Sequence, residues 1–367
     1  MKNIYKVFLM ILVTLIIGFT MTACDTDGSS GFDDDEDESV VNVPPPPHFP
    51  GWGGGGSRPG GDGGGGDGGG GDGGGGAGPP SEPTVTPTPY EYFDMNADRT
   101  IIYRFLASQT SMPVVISPRV VVIGADAFNP SVNLSTITDL SFAPNSQLTT
   151  IGARAFLNTT SLTGGVTIPA GVTSIGTAAF AASSLSSVNF AGNNLTTIAN
   201  EMFSYTPNLR SITIPAGITS IGTMAFLRSG IQNVTFAANS SLQTIGGGAF
   251  SNSQLASITI PTGVTSIGAS AFANTQLTSL IIPPTVTTIG DASFWNTTSL
   301  TSITIPPGVT FIDSEAFLGW TDTQSIFIPH DTMTPSGADW NWSAAWLNNS
   351  AARVYNNLID PPERLNP

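Results

Sequence analysis

The chain has 367 residues, only 10% of them charged, with 42 glycines, 28 prolines and a formal net charge of −15. Its 11 basic residues form no stripe that could neutralise phosphates, which sets nucleic acid aside as a partner. Cys24 is the single cysteine, so neither an internal disulfide nor a thiolate metal cluster can form.

Lys2 and Lys6 lead into an apolar run over residues 7–19 and then small residues, the three-part form of a secretory signal peptide over 1–23. The alternative is a retained single-span anchor, for which the run is short against a hydrocarbon core of ~30 Å. Met21-Thr22-Ala23-Cys24 resembles the lipobox of bacterial lipoproteins, which implies a lipidated Cys24, a membrane partner through that anchor, and a domain displayed outside the cytoplasm.

Residues 24–83 read as an acidic, Gly/Pro-rich disordered tether. Over 25–83 there are 12 acids against Arg58, a net of −11. The run 33–38 is six acids, a self-repelling solvated spacer, with a calcium site as the alternative. Glycines over 53–78 have no apolar side chains to offset the entropy of folding. A coil of this length spans roughly 40–45 Å. Acidic residues after a lipidated cysteine resemble surface-export signals, whereas Asp25 beside it resembles a cue for inner-membrane retention.

From residue 121 a unit repeats. Ile267-Gly268-Ala269-Ser270-Ala271-Phe272 has near-copies ending at Phe128, Phe156, Phe180, Phe203, Phe226, Phe250, Phe294 and Phe317, at intervals of 22 to 28 residues. Nine copies at that period predict a mainly β solenoid of about nine coils of ~23 residues over 121–320. In one unit Leu255, Ile258 and Ile260 face inward and Thr259 outward. Pro261 ends the strand, since it has no N–H for the ladder. Val264 and Ile267 make a second inward pair, and Gly268 is expected to relax the chain into a short helical turn that drives Phe272 inward.

Both ends need covering. Residues 84–120, with Tyr90, Tyr92, Phe93, Ile101, Ile102 and 114–116, read as an N-terminal cap of short strands. Residues 321–367 read as a C-terminal cap, in which Trp340, Trp342 and Trp346 lie near a short helix and 352–355 forms a closing strand. The tryptophans have an aromatic sugar platform as their alternative reading.

The pattern I-P-x-x-V-T-S-I-G-x-x-A-F followed by L-x-S-I-x-I, at 260–272 and 214–226, resembles the BspA-type leucine-rich repeat. The W-x-x-x-W of Trp342 and Trp346 is similar to that family's C-terminal turn. The resemblance implies a bacterial cell-surface protein, several relatives being adhesins for host matrix proteins such as fibronectin and fibrinogen or factors in coaggregation. It implies no catalytic residues and no cofactor. The family often carries cysteine where Thr160 and Thr298 stand here, which would remove a buried thiol ladder.

Chemistry is sparse in the repeats. His48 and His330 are the only histidines and cannot complete a Ser-His-Asp arrangement from repeat positions, and no ligand spacing marks a metal site. Asp291, Asp313 and Glu315 fall on neighbouring coils in different columns, so they read as solvated turn residues rather than glycosidase acids. Asp126 and Arg154 share a column and can pair across the stack. The outward strand positions form a polar ladder: Thr167, Asn189, Thr213, Thr235, Thr259 and Thr304, with Ile281 breaking it and Phe327 ending it. Such a ladder serves solubility or a broad contact face. Asn158, Asn252, Asn274 and Asn296, two residues after each Phe, read as turn residues. Arg210, Arg228 and Tyr205 interrupt the neutral middle coils and, with Thr213, Thr235 and Thr259, are the candidate binding residues.

These features together predict a lipid-anchored, exported binding protein at the cell surface or outer membrane. It is no enzyme, and its partner is a host matrix protein, another cell-surface protein or a glycan. The alternatives are an envelope-assembly protein without a host ligand and a glycan-binding or glycan-active solenoid.

Overall fold

The structure, a computed structural model, describes residues 86–106, 112–131, 136–192, 194–328, 350–355 and 364–365. These fall within one unit, Ala77–Pro367, and they form the mainly β solenoid that the repeats dictate. Each coil contributes to three rows.

The first row is the longer strand. In Ser211–Ile214 alternation buries Ile212 and Ile214 and exposes Ser211 and Thr213. This strand pairs in parallel with Asn233–Phe236, which pairs with Ser257–Ile258. Pro215 follows the strand, and its carbonyl accepts the Ile218 N–H at 3.2 Å, turning the chain. The second row consists of two-residue strands, such as Ser220–Ile221, Thr244–Ile245 and Ser266–Ile267, paired in parallel with isoleucine opposite isoleucine.

The third row is the turn around each phenylalanine. From Phe128 to Phe317 the rings stack near-parallel, with neighbouring centroids 4.8 to 5.9 Å apart and almost no solvent exposure. Backbone geometry around them is unusual. Residues two before each ring and, from Phe156 on, two after it are left-handed: Arg154 (φ 55°) and Asn158 (φ 60°) flank Phe156, and Ser270 (φ 56°) and Asn274 (φ 55°) flank Phe272. This alternation aims every second amide at the next coil. Arg154, Phe156 and Asn158 donate to the carbonyls of Thr177, Ala179 and Ala181 at 2.8–3.0 Å, while Leu157 N–H closes locally onto Arg154 O at 3.1 Å. The asparagine row is thereby explained, because Asn adopts this conformation more readily than most residues.

Gly268 has a different role from the one its sequence position suggested. The left-handed residue of its turn is Ser270, and no helix forms there. A Cβ on Gly268 would lie 2.6 Å from the Gly247 amide nitrogen of the preceding coil. Gly152, Gly176, Gly222, Gly246 and Gly290 meet preceding backbone at 2.4–2.6 Å or, for Gly246, 2.7 Å. The glycines are there because successive coils touch backbone to backbone.

One junction departs from this. Ala199 stands in the glycine row, and between Ser174–Ile175 and Thr197–Ile198 the short-strand ladder is interrupted. The longer strands of the same two coils, Gly165–Ile168 and Ser187–Phe190, stay paired there, and Phe180 to Phe203 is the widest spacing in the stack, 5.9 Å. The longer-strand row breaks one junction later, between Ser187–Phe190 and Ser211–Ile214. The phenylalanine-turn bonds, such as Phe180 N–H to Met202 O at 3.0 Å, cross the short-strand seam as well, as does the Asn194 side-chain amide to Ala170 O at 2.8 Å.

Thr160 and Thr298 are exposed, so neither fills a position vacated by a buried thiol. The buried hydroxyl row lies one residue earlier: Thr159, Thr206, Thr275 and Thr297 each donate Oγ1 to the carbonyl of the phenylalanine three residues before, at 2.7–2.9 Å. Ser183 occupies the same row, with a buried hydroxyl that has no partner among the described residues.

Toward the N-terminus, Ile101–Phe105 pairs in parallel with Val122–Ile123, and Met112–Ile116 with Ile137–Phe142. Phe105 stacks on Phe128 at 5.3 Å, so the rows continue into 101–116, with Phe93–Met95 antiparallel on the outer edge. At the other end Arg353–Tyr355 pairs in parallel with Ser325–Phe327. Trp340, Trp342 and Trp346 lie outside the described residues. Trp320 takes the hydroxyl row's place instead, edge-on to Phe317 at 5.1 Å, its indole N–H donating to Phe294 O and Thr297 Oγ1 at 3.0 Å. Among the described residues no helix is long and apolar enough to cross a membrane.

Candidate ligand-binding face

The outward strand residues from Thr167 to Thr304 are exposed, coil after coil. Ladder pairing sets Thr213 beside Thr235, their hydroxyls 2.9 Å apart, and Asn233 beside Ser257, whose Oγ donates to Asn233 Oδ1 at 2.7 Å. Thr259 lies one coil further on and is exposed as well. Ile281 projects from this hydroxyl surface with 83% of its area exposed.

Arg210 begins the edge of that face, immediately before Ser211. Its Nη1 donates across the stack to Gln254 Oε1 at 2.6 Å and to Gly230 O at 3.4 Å, and the Gln232 side-chain amide reaches the same Gln254 oxygen at 3.4 Å. Tyr205 and Arg228 are not in the strand row. They occupy the left-handed position two residues after Phe203 and Phe226, with φ 55° and 51°, and the Arg228 guanidinium carbon sits 5.6 Å from the Tyr205 ring centroid. The six candidate residues therefore divide into the strand-row threonines, the left-handed pair Tyr205 and Arg228, and Arg210 just before the strand, which hydrogen-bonds Gly230 two residues after Arg228.

The carboxylates at the C-terminal coils are held locally. Ser314 Oγ donates to Asp291 at 3.1 Å and to Asp313 at 3.4 Å, and the Ser314 amide donates to Asp313 at 2.7 Å. Among the described residues no group of His, Cys, Asp and Glu could hold a metal ion. A cleft of about 450 Å³ opens where the Ile137–Phe142 and Gly165–Ile168 strands are unpaired, lined by Phe142, Asn145, Thr167 and Pro169 among others. None of its lining residues is an acid, a base or a histidine. Cys24, His48 and His330 lie outside the described residues.

Asp126 and Arg154 do pair across the stack, Nε to Oδ1 at 3.0 Å and Nη2 to Oδ2 at 2.7 Å. The guanidinium bond holds the Asp126 carboxyl below its ordinary range; burial opposes this and the Asn129 amide adds to it. A depressed folded pKa stabilises above the unfolded value of about 3.9 and loses that contribution as pH falls through the folded value. Arg154→Ala is accordingly expected to lower the melting midpoint slightly at neutral pH and not at all in strong acid, by calorimetry. A deficit that persisted in acid would assign Arg154 a packing role instead.

The model of the BspA type leucine rich repeat region matches residues 121–241 and 231–337, in six copies. No curated protein matches the sequence. Among solved structures the chain is similar to the pneumococcal vaccine antigen PcpA, 18% identical over 71% of this chain and 82% of that one, with a TM-score of 0.41. It is also similar to a leucine rich cell surface protein from Faecalibacterium prausnitzii, 22% identical over 74% and 99%, TM-score 0.33. A leucine-rich repeat protein from Bacteroides ovatus is 19% identical over 68% and 97%, TM-score 0.29. The family match covers more than half of the chain, and with the repeat rows already described it assigns this protein to the BspA-type leucine-rich-repeat family.

Proposed function

We propose that the chain is a surface-displayed, lipid-anchored binding protein, an adhesin that contacts host matrix proteins or other cells through its long-strand face. The observation that carries the reading is the exposed row from Thr213 through Thr235 to Thr259, edged by Arg210 and joined through Gly230 to Tyr205 and Arg228. A rigid, extended polar face is how stacked repeats engage macromolecules. Leader residues up to Cys24 and the acidic tether support display away from a membrane. A contact role is supported by the bonding of Asp291 and Asp313 to Ser314 and by a cleft lined by no acid or base.

The test is binding of cells displaying the full-length chain to immobilised fibronectin, fibrinogen and partner cells, against cells lacking it. Saturable binding that falls about tenfold when Arg210 and Arg228 are both replaced by alanine supports the reading, the loss expected for removing an interface anchor. Absence of binding to all of them, together with self-association of the purified chain, would replace it with an envelope-structural role.

A further inference from the structure

Between residues 155 and 290 the chain carries one acid, Glu201, two bases, Arg210 and Arg228, and one tyrosine, Tyr205. Over that whole neutral stretch, both cations and the tyrosine fall on two adjacent coils. The left-handed row explains why this is unexpected. Elsewhere its occupants are Asn158, Ala182, Asn252, Asn274, Asn296 and Gly319, small or amide residues suited to positive φ. Tyr205 and Arg228 are bulky residues at consecutive positions of the row, where such side chains are uncommon and strained.

Stacking does not require them. Asn296 and Asn274 join two coils at the same positions with an amide bond of 2.7 Å. What Tyr205 and Arg228 add is a guanidinium laid against an aromatic ring, with no carboxylate partner for it among the described residues. Arg210 is held in a similar state. It binds Gln254 and Gly230 through Nη1 alone, so among the described residues Nε and Nη2 are unengaged. Arg228 precedes Gly230, the residue whose carbonyl Arg210 reaches, by two positions, a backbone span of at most ~7 Å. Both arginines are exposed. A guanidinium fork matches a carboxylate in geometry and charge.

We infer that Arg210, Arg228 and Tyr205 form a subsite for the carboxylate of an acidic polysaccharide, the uronate or sialate class. This rests on the proposal that the face binds a surface ligand, and names its chemistry. The surroundings favour a glycan over an acidic peptide. Gln232, Gln254, Thr213 and Thr235 supply amides and hydroxyls that match sugar hydroxyls. A peptide hot spot would instead want apolar anchor pockets. Among the described residues, the exposed large hydrophobics are Tyr103, Leu106 and Ile281, none of them on these two coils.

The test uses the full-length chain and four probes: polygalacturonate, its methyl ester, neutral dextran and polyglutamate. Polygalacturonate is expected to bind saturably and to weaken with added salt, and the ester and dextran to bind at least about tenfold more weakly. Tyr205→Asn and Arg228→Asn return both positions to the residue their row otherwise favours, so the fold is preserved; each is expected to cut binding several-fold with the melting midpoint unchanged. Arg210→Ala should cost about tenfold. Equal binding of the ester, or undiminished binding in these variants, would overturn the subsite. Polyglutamate binding as tightly as polygalacturonate with the same arginine dependence would overturn the glycan class in favour of acidic peptide. Matrix binding without polygalacturonate binding would refute this inference and leave the adhesin reading standing; polygalacturonate binding without any matrix or cell binding would do the reverse.

Discussion

Replacing Phe226 by alanine is expected to lower the unfolding free energy by about 3–5 kcal/mol, the cost of emptying a fully buried aromatic site. The ring lies between Phe203 at 5.5 Å and Phe250 at 5.3 Å and is wholly buried. Its neighbours cannot collapse into the void. The amides on either side are committed to the next coil, Phe226 N–H to Ala249 O at 2.8 Å and Phe203 N–H to Ala225 O at 2.8 Å, and these bonds fix the spacing of the turns. In a stacked array the loss falls on two interfaces at once, because each coil is stabilised chiefly by its neighbours. Urea unfolding of the variant beside Thr235→Ala checks this. Thr235 gives up a surface hydroxyl bond and is expected to cost about 1 kcal/mol or less. Comparable losses in the two variants would mean that the phenylalanine stack contributes no more than the polar face.

What could be read directly from the chain was whatever depends on residue type recurring in one column. Isoleucine and phenylalanine columns specify the buried positions, and Thr213, Thr235 and Thr259 recur at the outward one, so the rows and their exposure follow from spacing. The column two residues before each phenylalanine was silent. Asp126, Arg154, Ala178, Glu201, Met224, Gly248, Ser270, Ala292 and Glu315 share a left-handed backbone but no chemistry, because inter-coil hydrogen bonds hold the conformation whatever the side chain. The buried hydroxyl row was misplaced by one residue: Thr159 and Thr160 are adjacent and alike in type, and only the carbonyl of Phe156 distinguishes them. Phe105 was missed as part of the stack because its turn is shortened. Two residues lie between Ile102 and Phe105, where four lie between Ile267 and Phe272. Trp320 did carry a signal, a single large aromatic in a column of Ser and Thr. The pairing of Arg228 with Tyr205, 23 residues apart, follows from the repeat period alone, whereas the reach of Arg210 to Gln254 across two coils does not.

Gly246→Val is expected to open the short-strand ladder on the N-terminal side of that coil and to cost up to about 3 kcal/mol, the upper range for overpacking a dense interior. A Cβ at Gly246 would lie 2.7–2.8 Å from Gly222 C, Ile221 O and Thr223 N, all backbone atoms that cannot rotate away. Ala199 shows what one methyl in this row does within the array: the short-strand ladder is unpaired at its junction while the longer strands stay paired, and the rings part to 5.9 Å. Asp313 also carries a Cβ in the row, yet its amide still reaches Ile289 O at 2.9 Å. The difference is position. Phe311–Ile312 is the last short strand, so that coil can move outward without displacing others, whereas Gly246 has coils stacked on both sides. Hydrogen exchange at Gly246, whose N–H bonds to Ile221 O at 2.8 Å, should therefore accelerate strongly in the variant, while the amide of Phe226, on the phenylalanine side, is expected to stay protected, since its counterparts keep their hydrogen bonds at the natural seam. Unchanged exchange at Gly246, with the melting midpoint retained, would show that coils can separate by the width of a side chain at little cost, and that close backbone approach is not what places glycine in this row.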